Sequence, residues 1–272
     1  MAYPTVSAPY GFKPVSLIGG QVFAGSTRDY PIQYNYGTAI YYGDFVTTSS
    51  GYTVIATVPV STTNTTTGVF LGCYYTNPTT KQRQFAQYYP GNVLAGDITA
   101  IVADDPDQVF RCAVTAAAGS TTIASASSIL VGQNMACNTL TGSASTGNGA
   151  GAVVAATANT SGGGFRVLGL VPDTEISSSA TYVSGTGTTS LVVSGLTIGQ
   201  VLPIGTDVFN LVNGQLQFTG SSLTAATTVT TTGSTTLTVV ASTATVAGTV
   251  ALVQAPEVLV KLNFGAHRYY VA

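Results

Sequence analysis

Hydrophobic positions along this chain recur mostly with a period of two. Residues 257–263 show it best, with Val258, Val260 and Leu262 on one side of an extended segment and Glu257, Lys261 and Asn263 in polar positions. Alternation of this kind, broken only at Leu259, predicts a half-buried β-strand. Residues 53–58 repeat the pattern through Val54, Ala56 and Val58, and residues 97–102, 109–114 and 165–171 form further β-branched or apolar runs. Shorter runs follow at 190–193, 200–203, 215–218 and 235–240. Turn formers separate them: Thr62-Thr63-Asn64, Asn77-Pro78, Pro90-Gly91-Asn92 and Asp105-Pro106-Asp107. Many short strands punctuated in this way predict an all-β chain, an antiparallel sandwich or barrel.

Four regions depart from a uniform strand pattern. Residues 1–45 carry Pro4, Pro9 and Pro14, which favour an extended arm over a helix. That arm holds ten of the 25 Tyr and Phe residues: Tyr3, Tyr10, Phe12, Phe23, Tyr30, Tyr34, Tyr36, Tyr41, Tyr42 and Phe45. Such an excess of rings suits either docking on a partner or packing on the arm's own domain. Residues 46–180 form the β-core. Within it, 116–165 is rich in Ala, Ser, Thr and Gly; residues 116–130 are its one helical candidate, and 147–151 and 162–164 read as flexible glycine loops. Residues 181–254 read as a small inserted β-module, and 255–272 as a strand returning to the core. The stretch Gly187-Thr188-Thr189-Ser190-Leu191-Val192-Val193 matches Gly233-Ser234-Thr235-Thr236-Leu237-Thr238-Val239-Val240 at a spacing of 46. The two are either opening and closing strands of one module or a weak internal repeat.

Composition narrows the function classes. Charged residues are 7% of the 272, the net charge is -2, and the polarity comes from hydroxyls. Helical bundles and coiled coils are excluded by the shortage of Glu, Lys and Leu. A nucleic-acid binder is not expected without clustered cations, nor a membrane protein without a long run free of polar residues. The N-terminus lacks the basic and apolar sections of a Sec signal, so synthesis and use without Sec export are expected. Between Glu175 and Glu257 the only charge is Asp207. A threonine-rich strand region without charged gatekeepers aggregates if its edges stay open. It must close into a barrel or cover its edges with copies of itself, so a closed or intertwined homo-oligomer is expected.

Few residues suggest chemistry. Cys73, Cys112 and Cys137 are three, without CxxC spacing, and read as small buried hydrophobes. His267 is the single histidine and reads as a surface or strand-end residue. Asp104, Asp105 and Asp107 are a weak candidate for calcium; the competing reading is a solvated turn whose carboxylates accept backbone N–H groups. No phosphate-binding glycine motif is present. No enzyme and no cofactor are expected.

Three segments together carry a family resemblance. They are Ser7-Ala8-Pro9-Tyr10-Gly11-Phe12-Lys13-Pro14-Val15; residues 68–76 continuing through Tyr88-Tyr89-Pro90 to Asp104-Asp105-Pro106-Asp107-Gln108-Val109-Phe110; and residues 165–172 answered by 257–263. Their order resembles, over about 190 residues, virion structural proteins of marine and cyanobacterial tailed phages, regarded as capsid decoration or cement proteins. The resemblance implies a protein of the outer capsid surface, made in the host cytoplasm, that binds the major capsid protein, bridges neighbouring subunits and self-associates, as a trimer. It implies no catalytic residues. The chain departs from the family between Pro172 and Glu257, where it carries an insertion. A tail or fibre component, or a secreted adhesin or S-layer module, are the alternatives.

Overall fold

The computed structural model describes residues 6–56, 66–138, 140–157, 163–185, 187–241, 246–263 and 266–267. The chain is all-β, built from antiparallel sheets with short 3-10 turns. The central sheet is organised around Gln108–Thr115, a strand with seven of eight residues buried. One edge pairs with Glu257–Leu262, which pairs in turn with Phe165–Leu170. The other edge is shared: Lys13–Leu17 takes its first half and Ala152–Val154 its last two residues, the latter in parallel. Asn134–Met135 lies beyond Phe165–Leu170, and Cys137–Asn138 beyond Ala152–Val154. Only Ala136 separates these two short strands, so the two ends of the sheet are one stretch of chain and the sheet is a nearly closed barrel.

The barrel is filled by aromatic rings and branched side chains. Phe12 stacks on Phe165 with centroids 5.0 Å apart, and Phe45 closes the trio at 4.5 Å from Phe12 and 5.1 Å from Phe165. Cys112, Val114, Met135, Val153, Val258 and Val260 pack around them. A second sheet, Arg28–Pro31, Thr99–Ala103, Gly68–Thr76, Phe45–Ser49 and Tyr52–Ile55 in that order, with Arg83–Ala86 on the far half of Gly68–Thr76, has its own core of Ile32, Ile40, Phe70, Tyr89 and Ile98. Two described segments before Phe45, Lys13–Leu17 and Arg28–Pro31, are strands of these two sheets.

The insertion builds a third sheet from Ile176–Ser184, Ser190–Ser194, Asp207–Val212, Gln215–Ser222, Ser234–Thr238 and Thr249–Gln254. Its outer strands are Gln215–Ser222 and Ser234–Thr238. They meet where Leu223 bridges Val239, Val240 N–H donates to Ser222 O at 2.9 Å and Thr224 N–H donates to Thr238 O at 2.9 Å. The edges of this module, so poor in charge, are thus joined within one chain.

Residues 116–130 are not a helix. Thr115 bridges Ile123, Ala124 N–H donates to Val114 O, and helical geometry is confined to the 3-10 turn Ser128–Leu130. The backbone donors that a helix would use internally go elsewhere: Ser125 N–H to Ile204 O and Ala126 N–H to Ala255 O, each at 2.7 Å. This segment is the seam between the central barrel and the insertion. Glycines 147, 149 and 151 are likewise engaged: Tyr42 and Gly11 donate to Gly147 and Gly151 carbonyls, Gly149 N–H donates to Tyr42 O, and a Cβ on Gly149 would collide with the Asp44 carboxylate. They serve close packing where flexibility was expected.

Candidate partner-binding surface

The aromatic side chains expected to face a partner divide sharply by position. Tyr3 lies outside the described residues. Phe12 is wholly buried and withdrawn from any outer surface, because its ring packs against Phe45 and Phe165 in the barrel core. Tyr10, Phe23, Tyr30, Tyr36, Tyr41 and Tyr42 are half-buried, and Tyr34 is exposed. Most of the tyrosines are tied down by specific partners. The Tyr30 hydroxyl donates to Asp104 at 2.7 Å, the Tyr36 hydroxyl accepts Ile55 N–H at 3.2 Å, and the Tyr41 ring stacks on Tyr88 at 5.3 Å. Burial raises the Tyr42 phenol above its ordinary value.

Tyr10 belongs to a charged network. Its hydroxyl donates to Glu257, whose other oxygen binds the Arg111 guanidinium, and Lys13 lies over the Tyr10 ring at 4.6 Å. Burial alone would raise the Glu257 carboxyl; the hydrogen bonds from Arg111 and Tyr10 outweigh it and hold the carboxyl below its usual value. Burial and the Glu257 contact push the Tyr10 phenol well up. The network fixes the N-terminal segment onto the strand that returns from the insertion.

Besides Tyr34, three aliphatic residues are the exposed large apolar side chains described in the N-terminal segment. After Lys13–Leu17 the chain reverses through Gly20, with Leu17 N–H on Gln21 O and Ser16 bridging Val22. Val15, Ile18 and Val22 on this hairpin are 43%, 49% and 78% exposed. Ring counting along the sequence missed these three, and their alternation with Ser16, Gly19 and Gln21 gives only a weak signal.

The acidic cluster does not converge. The Asp104 carboxylate is buried against Tyr30 and Arg28, Asp105 accepts Asp107 N–H at 2.8 Å, and Asp107 pairs with Lys261 at 2.8 Å. Three carboxylates with three separate partners form a braced turn, and no group of three metal-ligating side chains occurs among the described residues. His267 is buried, against the expectation of a surface position, because it bridges Thr66 and its Nε2 lies 3.1 Å from Asp104 O. Burial lowers its pKa. All three cysteines are buried and free. No protein-family model matches the chain, and neither a curated protein nor a solved structure matches it.

Proposed function

We propose that this chain is a structural virion protein, a capsid decoration or cement protein that binds the outer capsid surface and bridges neighbouring major capsid subunits. The observation that carries the reading is the hairpin with Val15, Ile18 and Val22 in water. Three aliphatic side chains left exposed on one hairpin, in a chain with so few charges, suit a surface made to be covered. The order of the three resembling segments gives the partner its identity in this proposal. Trimerisation rests on that resemblance alone, because the insertion's edges close within the chain and need no second copy.

The test is occupancy on capsids that lack this protein. Wild type is expected to cosediment with them, and a Val15→Ser, Ile18→Ser, Val22→Ser variant, folded by circular dichroism, to stay in the supernatant. Equal occupancy of the two proteins would overturn the role of the hairpin, and absence of wild-type binding would overturn the capsid reading.

A further inference from the structure

Among the described residues, the sheet of the insertion is unpaired beside Ser177–Ser179. Ile176–Ser184 and Ser190–Ser194 pair only from Thr181 onward, with Thr181 opposite Ser194. At Gly195 the backbone turns to φ +87°, and the chain leaves the sheet and carries Leu196 into the module's core. Ser177, Ser178 and Ser179 keep Thr249–Gln254 on one side. On the other side no strand pairs with them among the described residues. Tyr182 N–H donates to Gly248 O on the paired side. Alternation therefore turns the N–H and C=O groups of Ser177 and Ser179 toward the gap.

The gap is a cleft of about 440 Å³, within the usual size of small-ligand sites. Its walls are the three serines and the loop through Thr197, Ile198 and Gly199. Gln200 is nine-tenths buried in it, with its Nε2 donating to Ser178 Oγ at 2.6 Å. Every lining side chain is uncharged. The module's one charge, Asp207, is buried and bonded to Ser128 instead.

We infer that this cleft binds a neutral saccharide. The exposed hydroxyls of Ser177 and Ser179 and the open strand-edge groups between them offer donors and acceptors, which is what the vicinal hydroxyls of a sugar ring require, while Ser178 points to the other face and holds the Gln200 carboxamide beneath them. Ile198, 54% exposed, gives the C–H face of a ring an apolar contact. A charged ligand would lose its hydration and find no counter-charge. A peptide strand would gain only the open edge at Ser177 and Ser179, shorter than strands of about 3–10 residues. The site is independent of capsid attachment.

The experiment is saturation-transfer NMR on the full chain with maltotriose, cellotriose, mannotriose and N-acetylated chitotriose, each in millimolar excess. Transfer to at least one sugar is expected, with Kd on the order of 1 mM. Ser179→Asp places a charge on an exposed position and should abolish transfer at unchanged Tm; Gln200→Ala should weaken it about 10-fold or more. Transfer to none of the four sugars would overturn the inference, as would transfer unchanged in Ser179→Asp. Binding of a peptide copying residues 190–195, in place of sugars, would assign the cleft to strand docking and also overturn it.

Discussion

The carboxylate of Asp207 accepts the backbone N–H of Ser128 at 2.8 Å and its hydroxyl at 3.2 Å. The single charge of the insertion thus bonds to the 3-10 turn of the central barrel, and with the Ser125–Ile204 bond it fastens the module to the core. Burial raises the Asp207 carboxyl, opposed by the hydrogen bonds from Ser127 and Ser128. Asp207→Ala leaves two Ser128 donors without an acceptor and is expected to cost about 1–3 kcal/mol. Asp207→Asn keeps an acceptor oxygen and should cost less than about 1 kcal/mol. Urea unfolding of both variants checks the order.

Arg111 and Glu257 give a larger effect. Glu257 is buried between Tyr10 and Arg111, and Arg111 keeps about a third of its side chain in water. Arg111→Met strands an ionised carboxylate. Removing one partner of a fully buried pair costs about 3–5 kcal/mol; the exposed side of Arg111 reduces the expectation to about 2–3 kcal/mol. Because the folded carboxyl is held below its ordinary value, the stabilisation is present above that ordinary value and disappears as pH falls through the folded one. Arg111→Met should therefore destabilise strongly at pH 7 and much less at the acid limit of folding, as measured by denaturant midpoints.

Asp44 has the opposite sign. Its Oδ2 accepts Tyr41 N–H at 2.9 Å, while its Oδ1 has no hydrogen-bond partner among the described residues and faces Gly149. Burial pushes this carboxyl up to about 7, against the lowering effect of the Tyr41 bond. The folded state then holds a proton that the unfolded state releases near pH 4, so stability falls as pH rises from there through about 7. Asp44→Asn should gain about 1–3 kcal/mol over wild type at pH 8 and little at pH 4. Buried His267 has a lowered pKa and works the other way, its contribution falling as pH drops below the ordinary histidine value. It is common to both proteins and cancels in the difference. A constant difference between the two proteins across this range would sink the assignment.

Leu191 stands directly opposite Leu237 in the insertion, and both are buried. This resolves the 46-residue sequence match: the two similar stretches are antiparallel neighbours, placed side by side by one hydrophobic pattern. Val258, Val260 and Leu262 also face inward as their alternation requires. Local periodicity made these strands legible. What it could not carry was long-range closure, since Ala136 joins two sheet ends and Leu223 reaches Val239 through pairings that leave no local mark. For the same reason residues 116–130 resemble a helix in composition while their partners are Ile204 and Ala255. At the surface, counting rings favoured positions that the fold mostly occupies, and the exposed aliphatic hairpin was overlooked. Leu237→Ala removes half of the central pair and should cost about 2–5 kcal/mol, read as a lower Tm of the insertion.

The insertion leaves and returns through neighbouring strands. Leu170 faces Val258 across the ladder, and Val171 N–H still reaches Glu257 O at 3.3 Å. Replacing residues 173–254 by a short Gly/Ser linker therefore asks the core to close only a hairpin, whose entropy cost grows slowly with loop length. Ala255 and Pro256 stay, so the bonds from Ala126 to Ala255 and from Val114 to Pro256 persist. Lost are the Ser125–Ile204 bond, the bonds of Ser127 and Ser128 to Asp207 and that of Thr174 to Glu257, together with the Ile204 side chain that covers the barrel at this seam. The expected product is folded, with one cooperative thermal transition at lower Tm and near-ultraviolet tyrosine dichroism preserved. A molten product, keeping far-ultraviolet strand signal without that dichroism, would show that the insertion belongs to the folding unit of the core.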